Sequence, residues 1–500
     1  MNIALFLQMA AEACPDRRAL TYNGEHYTYA ALYAAAKRAA YRFSTANCKY
    51  VTLIDVSSPA VPIALMGAAM AGIPYVPINY RLSEEQIVPL LDRIEPAYII
   101  LGAKEATYSR DSGVTQDSSD FLNEVLTGDY IEVKWNEDPT AVAVQLFTSG
   151  TTGTPKAAIL RHEHLVSYIL GSVDFMGAEE HEATLVSVPP YHIAGISAVM
   201  SSIYACRRIV QLANFDPAEW LRLCAEENVT NVFVVPTMLT RIIEELRFSD
   251  FEPSDLKSLA SIAYGGGKMP VPVIEQALAL YPNVNFTNAY GLTETSSTIT
   301  LLDPDDHRTA IDHDDAAVHA RLGSVGKPLP SVELEIRDDE AKQLGPWESG
   351  EIYVRGPQVS GEYEERSVLD DDGWFPTRDA GYLDDHGYLY LSGRADDVIV
   401  RGGENLSPGE IEDLLHQHPA ISDAAAVGMP SEEWGEVVAL AVVKTRGQEI
   451  TEDEIRQHIR EHLRSSRVPE VIHFTSELPY NETGKLLRRV VSEWFRIEGD

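Results

Sequence analysis

Cysteine is scarce in this 500-residue chain. Cys14, Cys48, Cys206 and Cys224 are scattered, with no CxxC pair and no metal-ligand spacing. That excludes a disulfide-stapled scaffold and a thiolate metal site, and it predicts a reducing, cytoplasmic setting. Basic residues are also few: 40 Lys and Arg stand against 76 Asp and Glu, a net charge of −36. Such a chain is excluded from non-specific binding to nucleic acid or anionic membranes. A local site for a small anion stays open, because a site is local and net charge is global. Uninterrupted apolar runs are missing. The longest, "AVPIALMGAAMAGIPYVPI" at 60–78, is broken by three prolines and two glycines. It predicts a buried helix followed by a buried strand, and no integral membrane segment. The N-terminus has no basic flank of the signal-peptide kind. Gln8 and Glu12 interrupt its apolar residues, which suit a first amphipathic helix. No internal repeat is present.

Apolar residues make up 45% of the chain and charged ones 23%, as in an ordinary globular protein with a large core. Residues 1–300 alternate helical patterns with short apolar strands such as "YVTLIDV", "AYIIL", "NVFVVP" and "SIAYGGG". This predicts an α/β fold with stacked parallel layers. From about residue 320, "SVELEIRD", "GEIYVRG" and "GYLYLSG" predict a β-barrel-like or sheet appendage. A compact α+β pattern follows. The expected organisation is a large domain over 1–394 and a small C-terminal domain over 395–500. A hinge is expected within the charged, Gly-flanked stretch Gly393–Asp397. The segment 303–319 mixes Asp with His307, His313 and His319, but its spacing matches no metal template. It reads as a solvated acidic loop.

"LFTSGTTGTPKAA", Leu146 to Ala158, gathers donors. Thr148, Ser149, Thr151 and Thr152 bring hydroxyls, and Lys156 brings a positive charge. Gly150 and Gly153 let the backbone close around a ligand. Consecutive N–H groups in such a turn make an anion cradle. The stretch is no Walker loop, since Gly153 is followed by Thr154 and Pro155 and not by Lys-Ser/Thr. It is expected to leave a buried strand and enter a helix.

Four more stretches lie downstream: "NAYGLTET" (288–295), "TRDAGYLD" (377–384), "GRADDVIVRGGENLSP" (393–408) and "NETGKLLR" (481–488). Together with "TSGTTGTPKA" and "AYGGGKMP", in this order, they resemble the adenylate-forming superfamily of acyl-CoA synthetases, amino-acid adenylation domains and luciferases. The resemblance spans essentially the whole chain. It implies ATP- and Mg2+-dependent activation of a small-molecule carboxylic acid to an acyl-adenylate, followed by transfer of the acyl group to a thiol, usually that of CoA. The first step brings two anions together, so charge must be neutralised and the attack aligned.

The resemblance assigns roles residue by residue. The Thr148–Lys156 loop would cradle the β- and γ-phosphates. Asn288, Ala289, Tyr290 and Gly291 would line the adenine, and Thr293 would approach the α-phosphate. Glu294, with Thr148, would hold Mg2+. Asp379 would accept both ribose hydroxyls, aided by Arg394. Gly265, Gly266 and Gly267 would pack along the adenine and the acyl chain. Lys485 would reach the substrate carboxylate and α-phosphate. Asp396 matches the hinge, whose rotation would withdraw Lys485 and bring Gly402, Gly403 and Glu404 inward around a pantetheine tunnel. Trp434 matches a residue that contacts the CoA nucleotide in some relatives.

His192, in "PPYHIAGI", matches a position that lines and gates the acyl site. Ile193, Ala194, Gly195, Gly265, Gly291 and Thr295 would line it too. All six are small or apolar, so an uncharged acyl or aryl tail is expected. There is no Asp in "YHIAGI" for an amino group, and Asp216 reads as a helix start. The acceptor stays open. "SSRVPEVIHF" keeps Arg467 but carries Ser466 and Glu470 where many CoA ligases have an aromatic and a basic residue, with Arg464 nearby. Carrier-protein loading is therefore an alternative, and a non-catalytic nucleotide-binding regulator is another. The chain is compatible with a homodimer.

Overall fold

The computed structural model describes residues 1–102, 108, 113–129, 132, 134–148, 155–394, 397–402, 404–431, 434–481 and 486–497. A nine-stranded sheet carries most of the large domain. Strands Asn285–Leu292, Ser261–Gly265, Asn231–Val234, Ala183–Val186, Arg208–Gln211 and Arg18–Tyr22 run parallel in that spatial order. Antiparallel strands close both edges. Successive strands are linked by helices that cover apolar faces, as parallel strands require. Helix Pro217–Glu226, for example, starts where Asp216 accepts from the Glu219 N–H, and it buries Trp220, Leu221 and Cys224. Full burial of side chains of this size contributes about 1.5–3 kcal/mol each.

A second layer pairs strands Tyr50–Ile54, Ala97–Leu101 and Gly113–Asp117 in parallel. Tyr75 joins it to the hairpin Val142–Thr148 and Lys156–Arg161 by bridging Val51 and Val144. The apolar run at 60–78 is thus helix Ala60–Ala71, with 11 of its 12 residues buried, followed by an extended bridging segment and not a full strand. The segment is wedged between two strands and has room for single bridges only.

Two further expectations need correction. The phosphate-loop stretch does not enter a helix: Lys156–Arg161 returns as an antiparallel strand, and the helix begins at His162. "KAAIL" is too short to bury a helical face, but it pairs residue for residue with the strand before the loop. The 303–319 segment is not a solvated loop. Asp303 caps helix Pro304–Asp312 by accepting from the Asp306 N–H, and His307 on this helix is fully buried.

Strands Glu333–Arg337, Gly350–Arg355, Phe375–Leu383 and Leu389–Arg394 form a four-stranded antiparallel sheet with its own core. The small domain has a separate core around strands Ile421–Ser431, Gly435–Lys444 and Val471–Thr475, with helices Pro408–His416, Glu452–His462 and Arg488–Ile497. Thr451 and Glu454 form a reciprocal capping box at the start of the second of these helices. Among the described residues, no helix is long and apolar enough to cross a membrane.

Candidate active site

The carboxyl ends of parallel strands are where ligands bind in open α/β sheets. Here Ser261–Gly265 and Asn285–Leu292 lie side by side, with Tyr264 opposite Asn288 and Gly265 opposite Ala289. A Cβ at Gly265 would meet the Ala289 carbonyl at 2.1 Å, and one at Gly291 would meet the Ser297 carbonyl at 1.8 Å. Only glycine allows these backbones to approach so closely at the strand ends. Asn288 is spent on structure: its buried Nδ2 donates to the Ser324 carbonyl at 3.0 Å. Tyr264 is structural as well. The His307 Nδ1 donates to the Asp303 carbonyl at 2.7 Å, so its Nε2 accepts from the Tyr264 hydroxyl at 2.8 Å.

Tyr290, Asp379 and Arg394 converge. The Tyr290 hydroxyl donates to Asp379 Oδ2 at 2.7 Å, and Arg394 donates to Asp379 Oδ1 at 3.0 Å. Burial, then the Asp379 charge, pushes the Tyr290 phenol well above its ordinary value, so it remains a donor. The carboxylate has one oxygen on each partner.

Glu294 sits in the short 3-10 turn Thr293–Thr295, 8% exposed. Its Oε1 accepts from the Tyr363 hydroxyl at 2.5 Å. The ring of Tyr363 in turn lies 5.5 Å from Lys156 Nζ. Sequence reasoning missed Tyr363, an unremarkable residue in "GEYEE" that only the fold brings to Glu294. Thr148 ends its strand with a long hydrogen bond, 3.4 Å, to the Lys156 carbonyl. Mg2+ takes oxygen donors, commonly one or two carboxylates plus substrate phosphates. The second oxygen of Glu294 and the Thr148 hydroxyl suit that chemistry. Among the described residues, no group of three or more His, Cys, Asp or Glu could hold a metal unaided.

His192 precedes helix Ile193–Tyr204 and contacts the ring of Tyr191 at 4.7 Å. Desolvation pulls its pKa down to about 4, so the imidazole is neutral near pH 7. Ile193 and Ala194 lie at the seam of two cores, one packed on each. Lys268, next to the Gly265–Gly267 loop, is held by Asp413 of the small domain at 2.6 Å. Ser407 Oγ also crosses between domains, donating to the Ser392 carbonyl.

In the small domain the Gly402 N–H donates to the Trp434 carbonyl at 2.7 Å, and Trp434 is 45% exposed. Arg401 lies 5.7 Å from the Trp434 ring and pairs with Glu470 at 2.8 Å. Arg467 is held by Glu404 and Glu410, whereas Arg464 is 83% exposed and only 3.8 Å from Glu404. The carboxylates therefore offset most of the positive charge here. Ser149, Gly150, Thr151, Thr152, Gly153, Asp396, Gly403 and Lys485 lie outside the described residues.

The family model of AMP-binding enzymes matches residues 7–364, and that of the AMP-binding enzyme C-terminal domain matches residues 410–485. A 2-succinylbenzoate–CoA ligase of Bacillus cereus is 32% identical over 502 residues, covering 97% of each chain. Among solved structures, the o-succinylbenzoate CoA synthetase of Bacillus subtilis bound to ATP and magnesium ion is 29% identical, with a TM-score of 0.84. The match covers 97% of this chain and 98% of that one. ATP-bound MatB from Rhodopseudomonas palustris is 26% identical, with a TM-score of 0.88 over 100% of both chains. The expected two-domain α/β fold and the use of ATP, Mg2+ and CoA are borne out. The chain belongs to the AMP-binding enzyme family and is an AMP-forming carboxylate–CoA ligase.

Proposed function

We propose that the acid activated by this ligase has an uncharged tail, aliphatic or aromatic. The carrying observation is the chemistry of the walls. In the segments Tyr191–Gly195, Tyr264–Met269 and Tyr290–Thr295 the one Lys or Arg is Lys268, and Asp413 already holds it. With His192 neutral, a second carboxylate in the acid would meet no free cation there and would lose its hydration without compensation.

The residue roles are carried over from the family resemblance. Asp379, oriented by Tyr290 and Arg394, accepts the ribose hydroxyls. The phosphate loop with Lys156 takes the β- and γ-phosphates. Thr293 lies toward the α-phosphate. Lys485 brings a compact charge on a long stem to the acid's carboxylate as it attacks phosphorus. Glu294 with Thr148 would hold Mg2+, which would supply charge neutralisation on the phosphates. His192 borders the acyl site as a neutral wall. The domains divide at 394/395, and rotation at Asp396 exchanges Lys485 for Gly402, Gly403 and Glu404, with Trp434 and Arg464 toward the CoA nucleotide. A cytoplasmic homodimer is the setting we infer; light scattering reads the assembly directly.

A second reading is 2-succinylbenzoate itself, favoured by the full-length likeness to ligases of that name. That acid keeps one carboxylate after the other is activated. The test is pyrophosphate release with ATP across fatty, benzoic and arylalkanoic acids and 2-succinylbenzoate, each with and without CoA. The wall chemistry predicts at least tenfold higher kcat/KM for a neutral-tailed acid. A preference for 2-succinylbenzoate replaces the first reading with the second.

A further inference from the structure

We infer that Tyr363 is a positioning residue that joins the phosphate-binding hairpin to the carboxylate of Glu294. The inference rests on the reading of Glu294 as the magnesium-holding carboxylate. Tyr363 lies on the segment 359–365, which is strapped across two parts of the site. On one side the strap is fixed to the hairpin. Tyr363 bridges Ala158, the Ile159 N–H donates to the Glu362 carbonyl at 2.9 Å, and the Glu364 N–H donates to the Ala157 carbonyl at 2.9 Å. Arg161 grips both oxygens of Glu362 at 2.8 Å each. Arg93 ties Glu364 to the Pro155 carbonyl, each at 2.6 Å. On the other side, the Ser360 and Gly361 N–H groups donate to the Glu294 carbonyl at 2.8 and 3.2 Å.

From this strap the Tyr363 side chain serves both charges of the site. Its ring lies 5.5 Å from Lys156 Nζ, and its hydroxyl donates to Glu294 Oε1 at 2.5 Å. The hydroxyl is the donor in this contact, because the carboxylate oxygen can only accept. The ring face attracts the ammonium, and the hydroxyl attracts the carboxylate. Lys156 meets the ring of Tyr363 and Glu294 meets its hydroxyl, so the side chain stands between the two groups. A direct pair would neutralise the cation meant for phosphate and the anion meant for metal. A tyrosine between them orients both without pairing one with the other. It also occupies one carboxylate oxygen and leaves the second for the metal.

The test separates hydroxyl from ring and needs no turnover. Enzyme is saturated with α,β-methylene-ATP, and Mn2+ binding is followed by EPR of the free ion, with the analogue alone as baseline. Tyr363→Phe keeps the ring and loses the donor. It is expected to weaken Mn2+ about tenfold while analogue affinity without metal is unchanged. Tyr363→Leu loses both, and is expected also to weaken the analogue severalfold. Thermal melting confirms that each variant is folded; if Tyr363→Leu is not, the Phe variant alone decides. Glu294→Gln is the control. If it weakens Mn2+ and Tyr363→Phe does not, the inference about Tyr363 is overturned. If neither weakens Mn2+, the reading of Glu294 itself falls.

Discussion

Tyr290 donates its hydroxyl to Asp379 at 2.7 Å across 89 residues of sequence. Arg394 holds the other carboxylate oxygen at 3.0 Å, so Asp379 is oriented before any nucleotide arrives. Hydrogen bonds to a charged group are worth about 1.5–3 kcal/mol. Asp379→Ala should therefore raise KM for ATP by about ten- to a hundredfold. Tyr290→Phe removes only one orienting bond and should raise it less. Steady-state pyrophosphate release against ATP concentration gives both numbers. A larger effect for Tyr290→Phe than for Asp379→Ala would contradict the assignment.

Lys485→Ala should divide the two half-reactions. Adenylation should fall by orders of magnitude, because the charge proposed to meet carboxylate and phosphate is gone. Thioester formation from supplied acyl-adenylate and CoA should be largely spared. Rapid-quench measurement of each step reads this out, and equal loss in both would sink the role.

His162 makes acid stability testable. It is 1% exposed, the Ile3 N–H donates to its Nδ1 at 3.4 Å, and desolvation, followed by the N-terminal charge, lowers its pKa to about 4. The unfolded chain takes up this proton near pH 6.5 and the folded chain only near 4. Stability is therefore full above about pH 6.5 and falls as pH drops through this window, by about 3 kcal/mol from this group. Urea melts of the wild type and His162→Gln at pH 7 and 5 should show a shallower loss in the variant. Identical slopes would show that His162 does not titrate this way.

In the small domain, Arg488 grips both oxygens of Glu412 at 2.6 and 2.7 Å and donates to the Ala426 carbonyl at 2.7 Å. Glu412 is nearly fully buried. Removing one member of a buried pair costs about 3–5 kcal/mol, because a charge is left without a partner. Glu412→Ala should raise hydrogen exchange in Ile421–Ser431 and Pro408–His416 while leaving the nine-stranded sheet protected. Unchanged exchange would place the stability elsewhere.

The excess of acidic residues predicts salt dependence. A net charge of −36 repels itself, and the screening length falls from about 10 Å at 0.1 M to about 3 Å at 1 M salt. The Tm should rise between 0.1 and 1 M NaCl. A fall would mean that the ion pairs outweigh the repulsion.

Local signals were read well. "NVFVVP" and "SIAYGGG" became neighbouring parallel strands, because short apolar runs between helical patterns have few other ways to be buried. Asp216 starts a helix through its own side chain, within three residues. The errors came where pairing overrode periodicity. "KAAIL" carries no strong local preference, and its strand exists because Val142–Thr148 offers it a partner. His307 looked solvated in an acidic stretch, but its capped helix turns it onto the Tyr264 hydroxyl.

By itself, the sequence determined the order of the motifs, and through their resemblance to the adenylate-forming superfamily the reaction class, since such motifs are short stretches of fixed spacing. Only the tertiary structure decided that Tyr290 meets Asp379, that Tyr363 stands between Lys156 and Glu294, and that Asp413 holds Lys268. Those pairs are set by how the sheets and the two domains pack. Packing depends on the summed burial and pairing of many distant residues, which no local pattern encodes.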